Sequence, residues 1–119
     1  MVQLHQVVAN ALLLLMLLLA LWGLIMAALK RPLGGSFRST YVLSIGVFGL
    51  QAVIGIALLV TGDRPRDILH LAYGIVPFLA LGGAYSYASA TTPRKEALTL
   101  GVAALFTFGL IIRAFSTGR

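Results

Sequence analysis

Apolar residues fill four stretches of the chain almost without interruption, and three short polar stretches separate them. The first apolar stretch runs from about Leu4 to Leu29. It includes the unbroken run Leu12 to Leu19 and carries no charge after His5. The second, about Tyr41 to Thr61, has Gln51 as its one strongly polar interior residue and contains Gly46, Gly49 and Gly55. The third, about Ile68 to Ala90, encloses Pro77, which a membrane helix tolerates as a kink. The fourth, about Ala97 to Phe115, holds Gly101 and Gly109. A helix of about 20 apolar residues crosses a bilayer, so each stretch is predicted as a transmembrane helix. Pro32, Gly34 and Gly35 break the first polar stretch; Gly62 to Asp67 form the second, and Thr91 to Glu96 the third. Connections this short make consecutive helices antiparallel neighbours. The predicted fold is therefore all-α: a single domain over residues 1–119, built as an integral membrane four-helix up-down-up-down bundle.

Composition sharpens the class. Of the 119 residues, 60% are hydrophobic and 10% charged, against roughly 45–50% and about 25% in soluble domains. The N-terminal stretch does not read as a signal peptide. It lacks a basic leader, its apolar run is too long, and Lys30-Arg31 stands where a small-residue cleavage site belongs. The absence of cysteine excludes disulfides, thiolate metal sites and thiol redox chemistry. The net charge of +6 sits mostly in turns beside apolar stretches. That pattern fits membrane lipid headgroups and topology, and it offers no basic stripe for nucleic acid. Weighting the first loop (Lys30, Arg31, Arg38) most heavily predicts both termini outside the cytoplasm, in a multi-pass bacterial or archaeal cell-membrane protein. Trp22, Tyr85 and Tyr87 stand where an interfacial aromatic belt is expected.

The candidate chemistry lies with two histidines. His5 opens the first helix and His70 the third, and each stands 25 residues before a lysine, Lys30 and Lys95 respectively. At 1.5 Å per residue both are about 37 Å from the same margin, so they share a level. The first and third helices are diagonal partners in an up-down bundle, and two imidazoles at one height can supply both axial ligands of a haem. Ala9 and Gly74 follow the histidines at i+4, leaving room for a flat macrocycle. Arg64, Arg66 and Arg113 lie on the same side, suited to propionates. Gln51 and Gly55 belong to the adjacent helix. Plain readings stand beside these. Histidine at a helix end is an ordinary boundary residue, glycines are common packing devices in membrane helices, Gln51 suits an interhelical hydrogen bond, and the arginines suit headgroups or Asp63 and Asp67.

The pattern Leu50-Gln51-x-x-x-Gly55, a short Pro-containing turn, then Leu69-His70-Leu71 resembles the matching helix–turn–helix of the haem A synthase family. Those enzymes consist of two similar four-helix halves, each with a histidine at the outer end of its first and third helices. The resemblance implies His5 and His70 as axial ligands of haem, on the extracytoplasmic side. The family's glutamate one turn before the first histidine is missing, since Val2 stands there, and Gln6 follows His5 where the family has arginine. The resemblance thus implies a bundle and a haem site, not the synthase reaction. The chain is one half long, so a full pair of sites implies a homo-oligomer or a larger membrane complex.

The expectation is a b-type cytochrome-like protein holding haem b between His5 and His70, with a quinone or a cytochrome as its electron partner, and no catalytic residues of its own. The alternative is a non-catalytic accessory subunit of a respiratory or photosynthetic membrane complex. A transporter or channel is disfavoured because the span interiors carry no Asp, Glu, Lys or Arg.

Overall fold

The computed structural model describes residues 2–62 and 69–118 and is all-helical. Four helices follow in order: α1 (Val2–Ala28), α2 (Gly35–Val60), α3 (Leu69–Ala88) and α4 (Pro93–Gly118). Among the described residues α1, α2 and α4 are each long and apolar enough to cross a membrane. At 26 or 27 residues, α1, α2 and α4 reach about 40 Å, and α3, with 20, about 30 Å.

Two helices start earlier than hydropathy indicates, α2 by six residues and α4 by four. Hydropathy stops where side chains turn polar, but helical hydrogen bonding continues to the cap. Gly34, extended at ψ 172°, precedes α2, and the hydroxyls of Thr40 and Ser44 bond back to the carbonyls of Ser36 and Thr40. For α4, Thr92 accepts from the Lys95 amide and Pro93 takes the first helical position, where no amide hydrogen is needed. At the other end of α1, Lys30 adopts φ 56° while its amide bonds to Ala27 O and that of Arg31 to Met26 O. This is a left-handed helix stop that glycine usually supplies, as Gly62 does after α2 at φ 98°.

Each helix turns one stripe inward. On α2 the buried positions are Phe37, Tyr41, Ser44, Phe48, Ile54 and Leu58, the first four spaced by four, three and four. On α4 they are Glu96, Ala97, Leu100, Gly101, Ala104, Thr107 and Ile111. α1 contributes Leu12, Met16, Leu19, Ala20 and Ala27, and α3 contributes Pro77, Leu81 and Ala88. The buried hydroxyls of Ser44 and Thr107 satisfy themselves on the carbonyls four residues back. Outward positions are as apolar as inward ones: Leu14, Leu43, Val53, Leu79 and Phe106 are all exposed. α1 packs on α2 and α4, and α3 packs on the same two helices, within an envelope of 48 × 21 × 21 Å. α1 and α4 meet at their backbones, where a Cβ placed on Gly23 would lie 2.9 Å from Gly101 Cα.

The ends of α2 and α4 that carry Arg38 and Glu96 are tied by an ion pair. Arg38 Nη2 donates to Glu96 Oε1 at 2.6 Å and Nε to Oε2 at 3.3 Å. The two partners differ in solvation, since the Arg38 side chain is 41% exposed and that of Glu96 10%. That difference predicts an asymmetry. Arg38→Ala strands a buried carboxylate, which costs about 1–3 kcal/mol. Glu96→Gln leaves an arginine that already reaches water, at a cost below about 1 kcal/mol. Thermal unfolding of the two variants in detergent checks the order, and equal losses would rule out this account of the pair.

Beside this ion pair a series of rings links three helices. Trp22 meets Phe37 edge-on at 5.2 Å, Phe37 stacks near Tyr41 at 6.2 Å, and Tyr41 stacks near Tyr85 at 5.8 Å. The buried Tyr41 hydroxyl donates to Leu81 O at 2.9 Å. Trp22 and Tyr85 therefore turn toward neighbouring helices rather than forming an outward belt; Tyr87, 62% exposed, does face outward.

Candidate functional site

His5 stands in the first turns of α1, and α2 presents Gln51 and Gly55 to it. Gln51 Nε2 donates to the main-chain oxygen of His5 at 2.8 Å, a side-chain bond between residues 46 apart. Gly55 lies one turn further along α2. A Cβ placed on it would meet His5 Cε1 at 3.5 Å, ordinary van der Waals contact. The edge of the imidazole thus lies beside a glycine, where a single added methyl would be in ordinary contact with the ring. Direction accounts for the arrangement. Carbonyls of α1 point toward its C-terminus, while side chains tilt toward its N-terminus. His5 therefore offers its oxygen to Gln51 and its ring to Gly55, which stand in the reverse order on α2. Nδ1 of His5 and Oε1 of Gln51 are both buried.

Ala9, one turn along α1, is half-buried. Gly74, half-buried on α3, has nothing among the described residues within 4 Å of a Cβ built on it. His70 is the second residue of α3, but its side chain lies outside the described residues, as do Arg64 and Arg66. Arg113 is exposed in the last turns of α4. The structure therefore brings together His5, Gln51 and Gly55. It puts His5 on α1 and His70 on α3, and among the described residues each of these helices packs on α2 and α4. Among the described residues no group of three or more metal-ligating side chains occurs.

The residues present fit a haem ligand at His5 in two respects. The ring edge lies beside Gly55, the residue type that takes up least space there, and the backbone that carries it is pinned by a neighbouring helix. Sequence reasoning placed Gln51 and Gly55 on the adjacent helix but not in contact with His5. The spacing of Phe37, Tyr41, Ser44 and Phe48, carried on by three and four residues, reaches Gln51 and Gly55, which are half-buried beside the buried Ile54 and Leu58. The Arg38–Glu96 pair and the Tyr41–Leu81 bond were not anticipated. They lie toward the other end of α2, Arg38 about 20 Å and Tyr41 about 15 Å from Gln51 at 1.5 Å per residue.

Comparison with protein-family models, curated proteins and solved structures finds no match to this chain.

Proposed function

We propose that this chain is a multi-pass integral membrane protein whose four helices form an up-down-up-down bundle, and that it binds haem b between His5 and His70 as a small b-type cytochrome-like protein. The observation that carries the reading is the seating of His5: its imidazole beside Gly55, its carbonyl held by Gln51 at 2.8 Å. A boundary histidine would need no interhelical bond at its backbone.

The membrane part of the reading rests on apolar residues exposed on all sides of helices about 30–40 Å long. The bundle part rests on the packing of α1 and α3 each against α2 and α4. The short polar turns and the weight of Lys30, Arg31 and Arg38 favour a cytoplasmic first loop and extracytoplasmic termini. The histidine end then faces outward. The resemblance of Leu50 to Leu71 to the haem A synthase family supports the same ligand pair, without the acid that its oxidation chemistry needs.

In this reading His5 and His70 would hold the iron, Gly55, Gly74 and Ala9 would leave space for the haem, and Arg64, Arg66 and Arg113 would suit its propionates. Bound haem supplies a one-electron couple. The chain's own part is to fix the imidazoles at one level and to exclude water with the surrounding leucines, serving electron transfer with a quinone or cytochrome, or haem handling. An absorption spectrum of the purified protein, oxidised and then dithionite-reduced, tests this. Low-spin haem gives a sharp Soret band and resolved α and β bands. A featureless visible spectrum after expression with added haem would sink the reading.

One feature favours the accessory-subunit alternative. A shallow apolar groove of about 430 Å³ lies between α3 and α4, where Ala80, Ala84, Thr99 and Ala103 alternate with the larger Leu98, Val102 and Phe106. Small residues of this kind admit a further membrane helix. Extraction in mild detergent as a stoichiometric larger complex would support it, and a lone monomer or homodimer would count against it.

A further inference from the structure

We infer that the end of the bundle carrying Lys30, Arg31, Arg94 and Lys95 binds an acidic phospholipid, whose phosphate meets these cations while an acyl chain lies in the groove between α3 and α4. The inference rests on the membrane part of the reading above and is independent of the haem.

The packing of α1 on α4 brings the cations to one place. Gly23 and Gly101 are level, since a Cβ on either would stand 2.9 Å from backbone of the other helix. Lys30 follows Gly23 by seven residues, and Arg94 precedes Gly101 by seven. Seven residues are nearly two turns, so the buried Ala27 and Ala97 continue the seam, and Lys30 and Arg94 end it about 10 Å from the glycines. Arg31 and Lys95 are their neighbours in the chain, and all four residues are exposed. The first loop stays against the bundle. The amides of Lys30 and Arg31 still bond to carbonyls of α1, and Leu33 is buried in the core.

Like charges on neighbouring turns repel, and the described residues supply no anion to offset them. Glu96 is the one acid among those residues, and Arg38 already engages both of its oxygens. The charge calls for an external anion, and the surface beside it selects the kind. Lys95, Leu98, Thr99 and Val102 stand at i, i+3, i+4 and i+7, on one face of α4. The last three line the apolar groove of about 430 Å³, so Lys95 heads that groove. A phospholipid with a net negative headgroup answers both parts at once. A soluble anion leaves the groove empty, and a partner helix in the groove leaves the four cations unanswered. Basic pockets at the cytoplasmic ends of membrane helices hold acidic headgroups in this way.

The test titrates protein in a neutral detergent with dioleoylphosphatidylglycerol, dioleoylphosphatidylcholine or inorganic phosphate, reading melting temperature and lipid retained in native mass spectra. The phosphatidylglycerol alone should raise the melting temperature and stay bound. Arg94→Gln or Lys95→Gln should weaken its binding about fivefold each, and all four cations changed to Gln should leave it no better bound than phosphatidylcholine. The four side chains are exposed, so the variants should melt with the wild type in phosphatidylcholine; the single variants carry the test if the fourfold one does not fold. Ala84→Leu, which fills the groove and keeps the charges, should also weaken phosphatidylglycerol. Equal binding of the two lipids by the wild type overturns the inference. Inorganic phosphate that stabilises as well as phosphatidylglycerol assigns the cations to a free anion and overturns the lipid. Undiminished binding by Ala84→Leu overturns the groove as the place of the chain. A protein that alkaline carbonate strips from membranes overturns the membrane reading instead.

Discussion

His5→Ala and His70→Ala are each expected to remove the low-spin haem spectrum while leaving the helices folded. A bis-histidine site needs both imidazoles, so loss of either leaves at best a five-coordinate iron with a broadened, shifted Soret band and no sharp α band. The fold should survive His5→Ala for a specific reason. The bond from Gln51 goes to the main-chain oxygen of His5, which alanine keeps, so the contact of α1 with α2 persists without the ring. The space vacated lies beside Gly55 near the end of α1, away from the buried residues Leu12 to Ala27. Circular dichroism and size-exclusion profiles in detergent should match the wild type for both variants, while the reduced-minus-oxidised difference spectrum loses its α band. If either variant kept the wild-type spectrum at full occupancy, that histidine would not be a ligand.

The helices themselves were legible because nothing but a membrane span or a fully buried helix accounts for stretches as apolar as Leu4 to Leu29. Their starts were less so. Ser36 to Thr40 and Pro93 to Glu96 look like loop by polarity, yet they are helical turns whose carbonyls and hydroxyls bond within the helix. That misreading also hid Arg38 and Glu96. Counted as loop charges, they had no phase; on helical turns both lie on sides that face the neighbouring elements and can meet. The expected level of His5 followed from the 1.5 Å rise alone. Its facing did not, because a helix apolar all round has no polar face from which the inward one can be read. For the same reason Trp22 read as a belt residue, although its ring lies edge-on to Phe37.

Gly23 shows the same limit more sharply, since nothing in its leucine-rich surroundings marks it, and the second large effect is expected at its partner. Gly101→Val should separate α1 from α4 and lower the thermal stability of the whole protein. A Cβ on Gly101 would stand 2.9 Å from Leu24 N and 3.1 Å from Gly23 C, and one on Gly23 would stand 3.2 Å from Ala97 O. Carbon atoms prefer separations near 3.5–4.0 Å, and these neighbours are backbone, which cannot turn aside as a side chain can. Ala20, Ala27, Ala97 and Ala104 line the same seam, so the approach is close along its length. In a bilayer helices are held together mainly by such packing, because lipid is as apolar as the side chains it replaces. A single added methyl, Gly101→Ala, should cost about 1–3 kcal/mol, and valine more. Gly46 supplies the control: a Cβ there meets nothing within 4 Å among the described residues, so Gly46→Ala should leave stability unchanged or slightly raised. Because α1 carries His5 at its far end, the tilt forced by Gly101→Val should also lower haem occupancy, although the substitution lies many turns from the ligand. Melting curves in detergent for the three variants read the order directly. A Gly101→Val protein that melted with the wild type would mean that α1 and α4 are not held by this contact.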